Sequence, residues 1–71
     1  FVDISLDYSL KGESEVIFIS EAGYISHEES IGKILKNEKY NIDISKIPAG
    51  KYLVTIVNGK TYTTPQKLIV L

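Results

Sequence analysis

The chain has 71 residues, of which 44% are hydrophobic, and a formal net charge of −1. A chain of this length forms one domain, residues 1–71, with a thin core that no disulfide supports, because Cys is absent. Its basic residues are all Lys and are balanced by acidic ones, and no apolar run approaches the roughly 18 residues of a membrane span, so we expect neither a nucleic acid partner nor a transmembrane segment.

The N-terminal part of the chain predicts three strands. From Val2 to Tyr8, apolar residues alternate with Asp and Ser, which is typical of a strand with one buried face. Val16–Ile19 is apolar at every position and therefore suits a central strand of a sandwich. Glu21–Gly23 marks a turn, and Tyr24–Glu28 predicts a weaker strand that pairs back on the previous one as a hairpin.

The stretch from Glu29 to Lys39 has the least regular pattern. Three of its apolar residues have helical spacing, but Gly32 and the short length disfavour a stable helix. We expect an irregular segment or a short edge strand here, with a turn at Asn37–Glu38.

Strand patterns return in the C-terminal half. Tyr40–Ser45 alternates and predicts another half-buried strand, after which Ile47 is expected to close one end of the core from a loop. Pro65 cannot donate a hydrogen bond to a sheet, so we expect it to end a strand or to mark an edge or a bulge. Lys67–Leu71 predicts the last strand.

Asn58–Gly59 predicts a hairpin between Lys51–Val57 and Lys60–Thr64, because an Asn-Gly pair suits a two-residue turn with positive φ at both positions. Such a turn would pair Val57 with Lys60. Both faces of the first strand are apolar, so we expect it to be central. The core face is either that of Leu53 and Val57 or the one we favour, which carries Tyr52, Val54 and Ile56.

Short strands separated by regular turn signals indicate the fold class. About six or seven strands with turns every 8–12 residues or so are typical of an Ig-like sandwich. The sequence therefore predicts an all-β fold, an Ig-like antiparallel β-sandwich.

Catalytic and metal-binding patterns are weak. His27 and Glu29 would point the same way on a strand, but a catalytic zinc needs three protein ligands and a structural zinc needs four. His27 is also the only base available to a Ser nucleophile, and no Gly-rich phosphate loop occurs. We expect no metal, no cofactor and no enzymatic activity.

The five Tyr raise the alternative of a glycan-binding module, since sugars stack on exposed aromatic rings. Tyr8, Tyr40 and Tyr52 fall in the apolar phase of their predicted strands, so we assign them to the core. Tyr24 and Tyr62 are the ones left for such a platform.

Four segments resemble the C-terminal sorting domains of the type IX secretion system of Bacteroidetes. Glu21–Gly23 resembles the turn that precedes a strand in these domains, and Asn41–Ile56 is similar to their "i-d-l-s-x-l-p-x-G-x-Y-x-v-x-i" block. Gly59–Thr63 and Lys67–Val70 resemble their closing "g-k-t-y-t…k-i-i-v" segment. The similarity covers about Glu15 to Leu71. The same pattern of turn glycines and strand residues also occurs in small Ig-like domains of unknown function from secreted proteins of gut Bacteroides.

This resemblance implies a non-enzymatic module of a protein that is secreted or displayed on the cell surface. Its partner would be the outer-membrane secretion machinery, and the alternative is an Ig-like binding domain for a glycan or a protein. An exposed strand edge can pair with a partner through backbone hydrogen bonds. We define the candidate recognition edge as Lys60, Tyr62, Lys67, Leu68, Ile69 and Val70.

Overall fold

The computed structural model describes residues 2–71, which form seven strands and no helix. All strand pairs are antiparallel, and they build a two-stranded and a five-stranded sheet around a common core. The predicted fold class, an all-β antiparallel sandwich, is confirmed. The strands are β1 (Val2–Ile4), β2 (Ser14–Ser20), β3 (Ile25–Gly32), β4 (Tyr40–Ile42), β5 (Gly50–Asn58), β6 (Thr61–Tyr62) and β7 (Gln66–Val70).

Residues 2–71 include no helix long and apolar enough to cross a membrane.

β2 and β5 form the centre of the five-stranded sheet. β3 pairs with the free side of β2, while β6 and β7 both pair with the far side of β5. The β2–β5 pairing is continuous from Glu15 to Ser20 and places Phe18 opposite Val54. β1 and β4 form the second sheet. The prediction that β2 and β5 are central strands, which was based on their two apolar faces, is therefore confirmed.

The core lies between the two sheets. Phe18 is completely buried, and Ile56 is only 4% exposed, whereas Leu53 on the opposite face of β5 is 41% exposed. The preferred core face of β5 is therefore confirmed. Ile47 closes the core from its loop, as predicted, with 7% exposure. The buried cluster consists of Val16, Phe18, Ile42, Ile47 and Tyr52.

Tyr52 connects the start of β5 to the loop before it. Its hydroxyl donates a hydrogen bond to the carbonyl of Pro48, four residues upstream. A tyrosine that bonds back to the nearby backbone is a recurrent feature of Ig-like sandwiches. Its ring also passes close to Gly50, where an added Cβ would lie 3.7 Å from the ring. The Pro-Ala-Gly-Lys-Tyr block therefore fixes how the chain enters its central strand.

The first strand is shorter than predicted. It ends at Ile4, because its partner β4 begins at Tyr40, directly opposite. Beyond this point the chain bonds to the loop after β3 instead, and the Asn37 N–H donates to the Leu6 carbonyl at 2.8 Å. Tyr8 is 46% exposed, so its assignment to the core was wrong.

β3 is longer than predicted and extends to Gly32. Its pairing with β2 has two register shifts, one between Ile25 and His27 and one between Ser30 and Gly32. The turn before β4 lies one residue earlier than expected. The Glu38 N–H donates to the Leu35 carbonyl at 3.1 Å, and Asn37 adopts a φ of 63°.

The hairpin after β5 also has a different register from the predicted one. Asn58 pairs with Thr61, so Gly59 and Lys60 are the central turn residues. Of these two, only Gly59 has a positive φ, of 61°, as in a type II′ turn. Val57 accordingly does not pair with Lys60, and the prediction of positive φ at Asn58 was wrong.

Asn58 is held at the end of β5 and out of the turn, because its side-chain amide bonds to the segment that begins β2. Its amide donates to the Lys11 carbonyl at 2.8 Å and to Ser14 Oγ at 2.9 Å. Ser14 is 1% exposed and begins β2, so this amide joins the ends of the two central strands.

We predict that Asn58→Ala lowers the free energy of unfolding by about 1–3 kcal/mol, because it leaves the buried Ser14 hydroxyl without this partner. Urea denaturation measures the change. Asn41→Ala is the matched control, since the Asn41 amide bonds to Asp3 in an exposed position, at 2.8 Å. We expect the control to cost less than about 0.5 kcal/mol. Equal losses in both variants would contradict the structural role of Asn58.

Candidate functional site

The candidate recognition edge lies on one side of the five-stranded sheet. β6 pairs with Val57 and Asn58, near the end of β5, and β7 pairs with Gly50–Val54, near its start. Within residues 2–71 neither β6 nor β7 pairs with any other strand. Both strands therefore present an outer row of backbone groups to which a further strand can pair.

A bulge separates the two edge strands. The register of β7 on β5 is offset by one residue from that of β6, so one extra residue lies in Thr63–Pro65. Thr63 stays attached to β5, because its N–H donates to the Ile56 carbonyl at 2.9 Å. Its hydroxyl accepts from the Ile56 N–H at 3.0 Å, and its carbonyl accepts from Thr55 Oγ1 at 2.8 Å. These bonds hold the edge at the point where Pro65 has no N–H to offer.

The bulge also determines which side chains face outward. In β6, Tyr62 lies opposite Val57 on the sheet face away from the core. The extra residue shifts the alternation of inward and outward side chains by one position. In β7 the outward side chains are therefore Lys67 and Ile69. Tyr62 is 72% exposed and Ile69 is 63% exposed.

The six residues of the candidate recognition edge therefore fall into two groups. Leu68 and Val70 are half-buried and pack against the core cluster. The other four are exposed, and Lys60 among them occupies the hairpin turn. The structure brings Lys67, Leu68, Ile69 and Val70 together on one strand, and places Lys60 and Tyr62 beyond the bulge.

A groove of about 500 Å³ runs along the core side of this edge. On one side it is lined by β1 and the residues after it, including Ile4 and Leu6, and on the other by Ile56 and Leu68. The groove exists because the two-stranded sheet is narrower than the five-stranded sheet that it covers. The free edge of β7 is therefore bordered by a groove whose lining includes apolar side chains of β1 and β5.

The two residues that were considered as metal ligands and not favoured, His27 and Glu29, lie on the other edge strand, β3. His27 Nε2 is 3.3 Å from Glu29 Oε1, and the imidazole packs edge-on against Phe18 with 5.7 Å between ring centres. Within residues 2–71 no three His, Cys, Asp or Glu side chains are grouped so as to hold a metal ion. The two side chains thus form a polar pair beside the core, as a structural role requires.

The two tyrosines left for a sugar platform are far apart. Tyr24 lies in the turn after β2, beside the start of β5, whereas Tyr62 pairs with Val57 near the end of β5. Six or so residues of extended strand separate these positions by roughly 20 Å. A single sugar ring cannot stack on both.

The fold lowers the pKa of the Asp43 carboxyl. The Ser45 N–H donates to its Oδ1 at 2.9 Å, and this bond holds the pKa of the Asp43 carboxyl below its usual value. The residue is fully exposed in the loop after β4, away from the recognition edge. Its shift therefore reports a local turn and not a catalytic site.

The pair formed by Thr55 and Thr63 was missed by reasoning from the sequence. Both lie beside the bulge and supply the side-chain bonds that replace part of the regular ladder. The available signal was the position of Thr63 two residues before Pro65, where a strand must lose a regular hydrogen bond.

We predict that β7 has one structural and one dispensable row of side chains. Leu68→Ala should lower the free energy of unfolding by about 2 kcal/mol, because Leu68 packs on the core cluster. Ile69→Ala should change it by less than about 0.5 kcal/mol, since Ile69 is mostly exposed. Chemical denaturation of both variants provides the comparison, and a larger loss for Ile69→Ala would refute the assigned phase of β7.

Comparison with known proteins identifies the family. A family model described as "Secretion system C-terminal sorting domain" matches residues 2–71. No curated protein matches the chain. No solved structure matches it either.

The match covers nearly the whole chain and agrees with the segments that resembled type IX sorting domains. Domains of this family are sorting signals of proteins that are secreted or exported to the cell surface, and they are recognised by the secretion machinery. The family is not an enzymatic one. The chain belongs to the secretion system C-terminal sorting domain family, the sorting domains of type IX secretion.

Proposed function

We propose that residues 1–71 act as one non-enzymatic sorting domain, and that the secretion machinery recognises it at the candidate recognition edge by adding a strand to β7. The observation that carries this proposal is the free edge of β7, which pairs with β5 alone within residues 2–71. Edge strands with an open row of backbone groups are the usual acceptors of an added strand.

The flanking surfaces support strand addition at β7. Side chains of an added strand alternate between the two sheet faces. Those on the core side would enter the groove next to Leu68, which is lined by apolar residues of β1 and β5. Those on the outer side would lie beside Lys67 and Ile69. A partner strand with apolar residues on one face and an acidic residue opposite Lys67 fits this edge.

The opposite edge strand is less suited to the same role. β3 carries polar or charged side chains at five of its eight positions, Ser26 to Ser30. Charged and polar side chains on an edge discourage strand addition. The apolar β7 edge is therefore the better acceptor of the two.

The non-enzymatic assignment is supported by the one His of the chain. The hydrogen bond that His27 makes within residues 2–71 is to Glu29, and no Ser hydroxyl takes part in it. A nucleophile and its base must be within hydrogen-bond reach of each other.

We predict that exchanging the outward side chains of β7 impairs export and leaves the fold intact. Lys67→Ser/Ile69→Ser removes a charge and an apolar contact from the edge, while Leu68 and Val70 keep their packing on the core. Export of a cargo that carries this domain should fall roughly tenfold, with the cargo retained in the periplasm, because an interface depends on a few contacts of this kind. Fractionation and immunoblotting measure the distribution.

The matched control is Ile25→Ser/Lys33→Ser, which removes the same two residue types from the first position of β3, where Ile25 is 55% exposed, and from the position directly after β3. Circular dichroism must show that both double variants are folded. Normal export of the β7 variant, or an equal defect in the β3 variant, would refute recognition at β7.

A further inference from the structure

The outer face of the five-stranded sheet, meaning the face away from the core, is unusually apolar. Antiparallel sheets with one face in water normally carry polar residues on that face. Here Leu53 is 41% exposed, Ile25 55% and Ile69 63%. A contiguous exposed apolar surface on a small domain indicates an interaction site. The apolar side chains of this face are Ile17, Ile19, Ile25, Leu53, Val57, Tyr62 and Ile69.

The charges on this face are arranged by sign. Glu15 and Glu28 lie on the side of β2 and β3, whereas Lys51 and Lys67 lie on the side of β5 and β7. A groove of about 470 Å³ on the face is lined by apolar residues with Glu21 and the two lysines among them. Within residues 2–71, none of these charged side chains forms an ion pair. The face therefore offers an acidic half and a basic half around an apolar centre.

The strand register makes this arrangement self-complementary. Ile19 lies opposite Leu53, and Glu21, in the turn directly after β2, lines the same groove as Lys51. A twofold axis that runs along the strands, between β2 and β5, exchanges the two strands. It places Ile19 of one copy over Leu53 of the other, and Glu21 of one copy over Lys51 of the other. Each contact then occurs twice, as in any isologous interface.

We propose that the outer face is the interface of a homodimer, in which two copies pack these sheets face to face. Two sheets packed in this way lie about 10 Å apart, a distance that Glu and Lys side chains span together. A face with both signs of charge suits a second copy better than a polyanion such as nucleic acid or an anionic membrane. The net charge of −1 adds little repulsion between copies.

The dimer is expected to be weak. Four strands about 4.8 Å apart and four rows of outward side chains give a face of roughly 15 by 20 Å, or about 300 Å² per copy, which is smaller than standard specific interfaces and suits a transient contact. We therefore expect a dissociation constant in the micromolar range.

This interface overlaps the recognition edge at the outward side chains of Tyr62, Lys67 and Ile69. A strand added to β7 extends the sheet sideways, whereas the dimer covers the face centred on β2 and β5. Glu21, Lys51 and Leu53 belong to the dimer face and not to the six residues of the candidate recognition edge. Variants at these three positions consequently test the dimer without testing recognition at β7.

Sedimentation velocity of the 71-residue chain from about 10 µM to about 500 µM tests the proposal, because this range covers the weak dissociation constant expected of a small interface. We expect a concentration-dependent shift from monomer to dimer. Leu53→Glu should leave a monomer throughout, since it puts two like charges in the apolar centre. Lys39→Glu, an exposed change in the loop before β4, should leave the dimer unaffected. A monomer at all concentrations, or a dimer that survives Leu53→Glu, overturns the proposal.

A charge exchange tests the predicted geometry. Glu21→Lys and Lys51→Glu, each alone, should raise the dissociation constant roughly tenfold or more, because each puts two like-charge pairs in the interface. The double variant Glu21→Lys/Lys51→Glu should restore it to within about threefold, since it re-forms both pairs with the signs reversed. Failure of the double variant to recover overturns this twofold arrangement, and circular dichroism confirms that each variant is folded.

Discussion

The antiparallel pairing of β2 and β5 is the constraint on which the rest of the structure depends. It places Val16 and Phe18 of one strand beside Val54 and Ile56 of the other, and these side chains form much of the core on the side of the five-stranded sheet. All the other strands of the five-stranded sheet attach to one of these two. In a chain of this length without disulfides, a single well-packed pair of strands has to supply much of the stability.

The two ends of β5 are each held by one side chain. At its start, Tyr52 bonds back to Pro48, and at its end, the Asn58 amide reaches across to Ser14. Each bond connects β5 to a residue with which it forms no backbone strand pair. The position of β5 in turn sets the register of β6 and β7, and hence which side chains the recognition edge exposes.

The central strands and the core face of β5 followed from the sequence more readily than the turns did. The full apolarity of Val16–Ile19 indicated a central strand, because apolar residues at consecutive positions are typical of strands in the interior of a sheet. The Asn58 turn was misplaced because its amide has a partner 44 residues away, and no local pattern reports such a contact. For a similar reason, the sequence does not show which side chains face outward after the bulge. Pro65 signals an irregularity, but the bonds that Thr63 makes with Thr55 and with the Ile56 N–H decide where the extra residue goes.

The bulge at Thr63–Pro65 gives the edge a defined length. A strand that pairs along β7 has five residues, Gln66–Val70, available before it meets a proline without an N–H. At about 3.4 Å per residue this is a site roughly 17 Å long. A short site limits the number of backbone hydrogen bonds with any partner, so specificity has to come from the side chains on either side of the edge. It also keeps the edge from templating a long intermolecular sheet, which would let copies of the chain polymerise instead of docking one partner each.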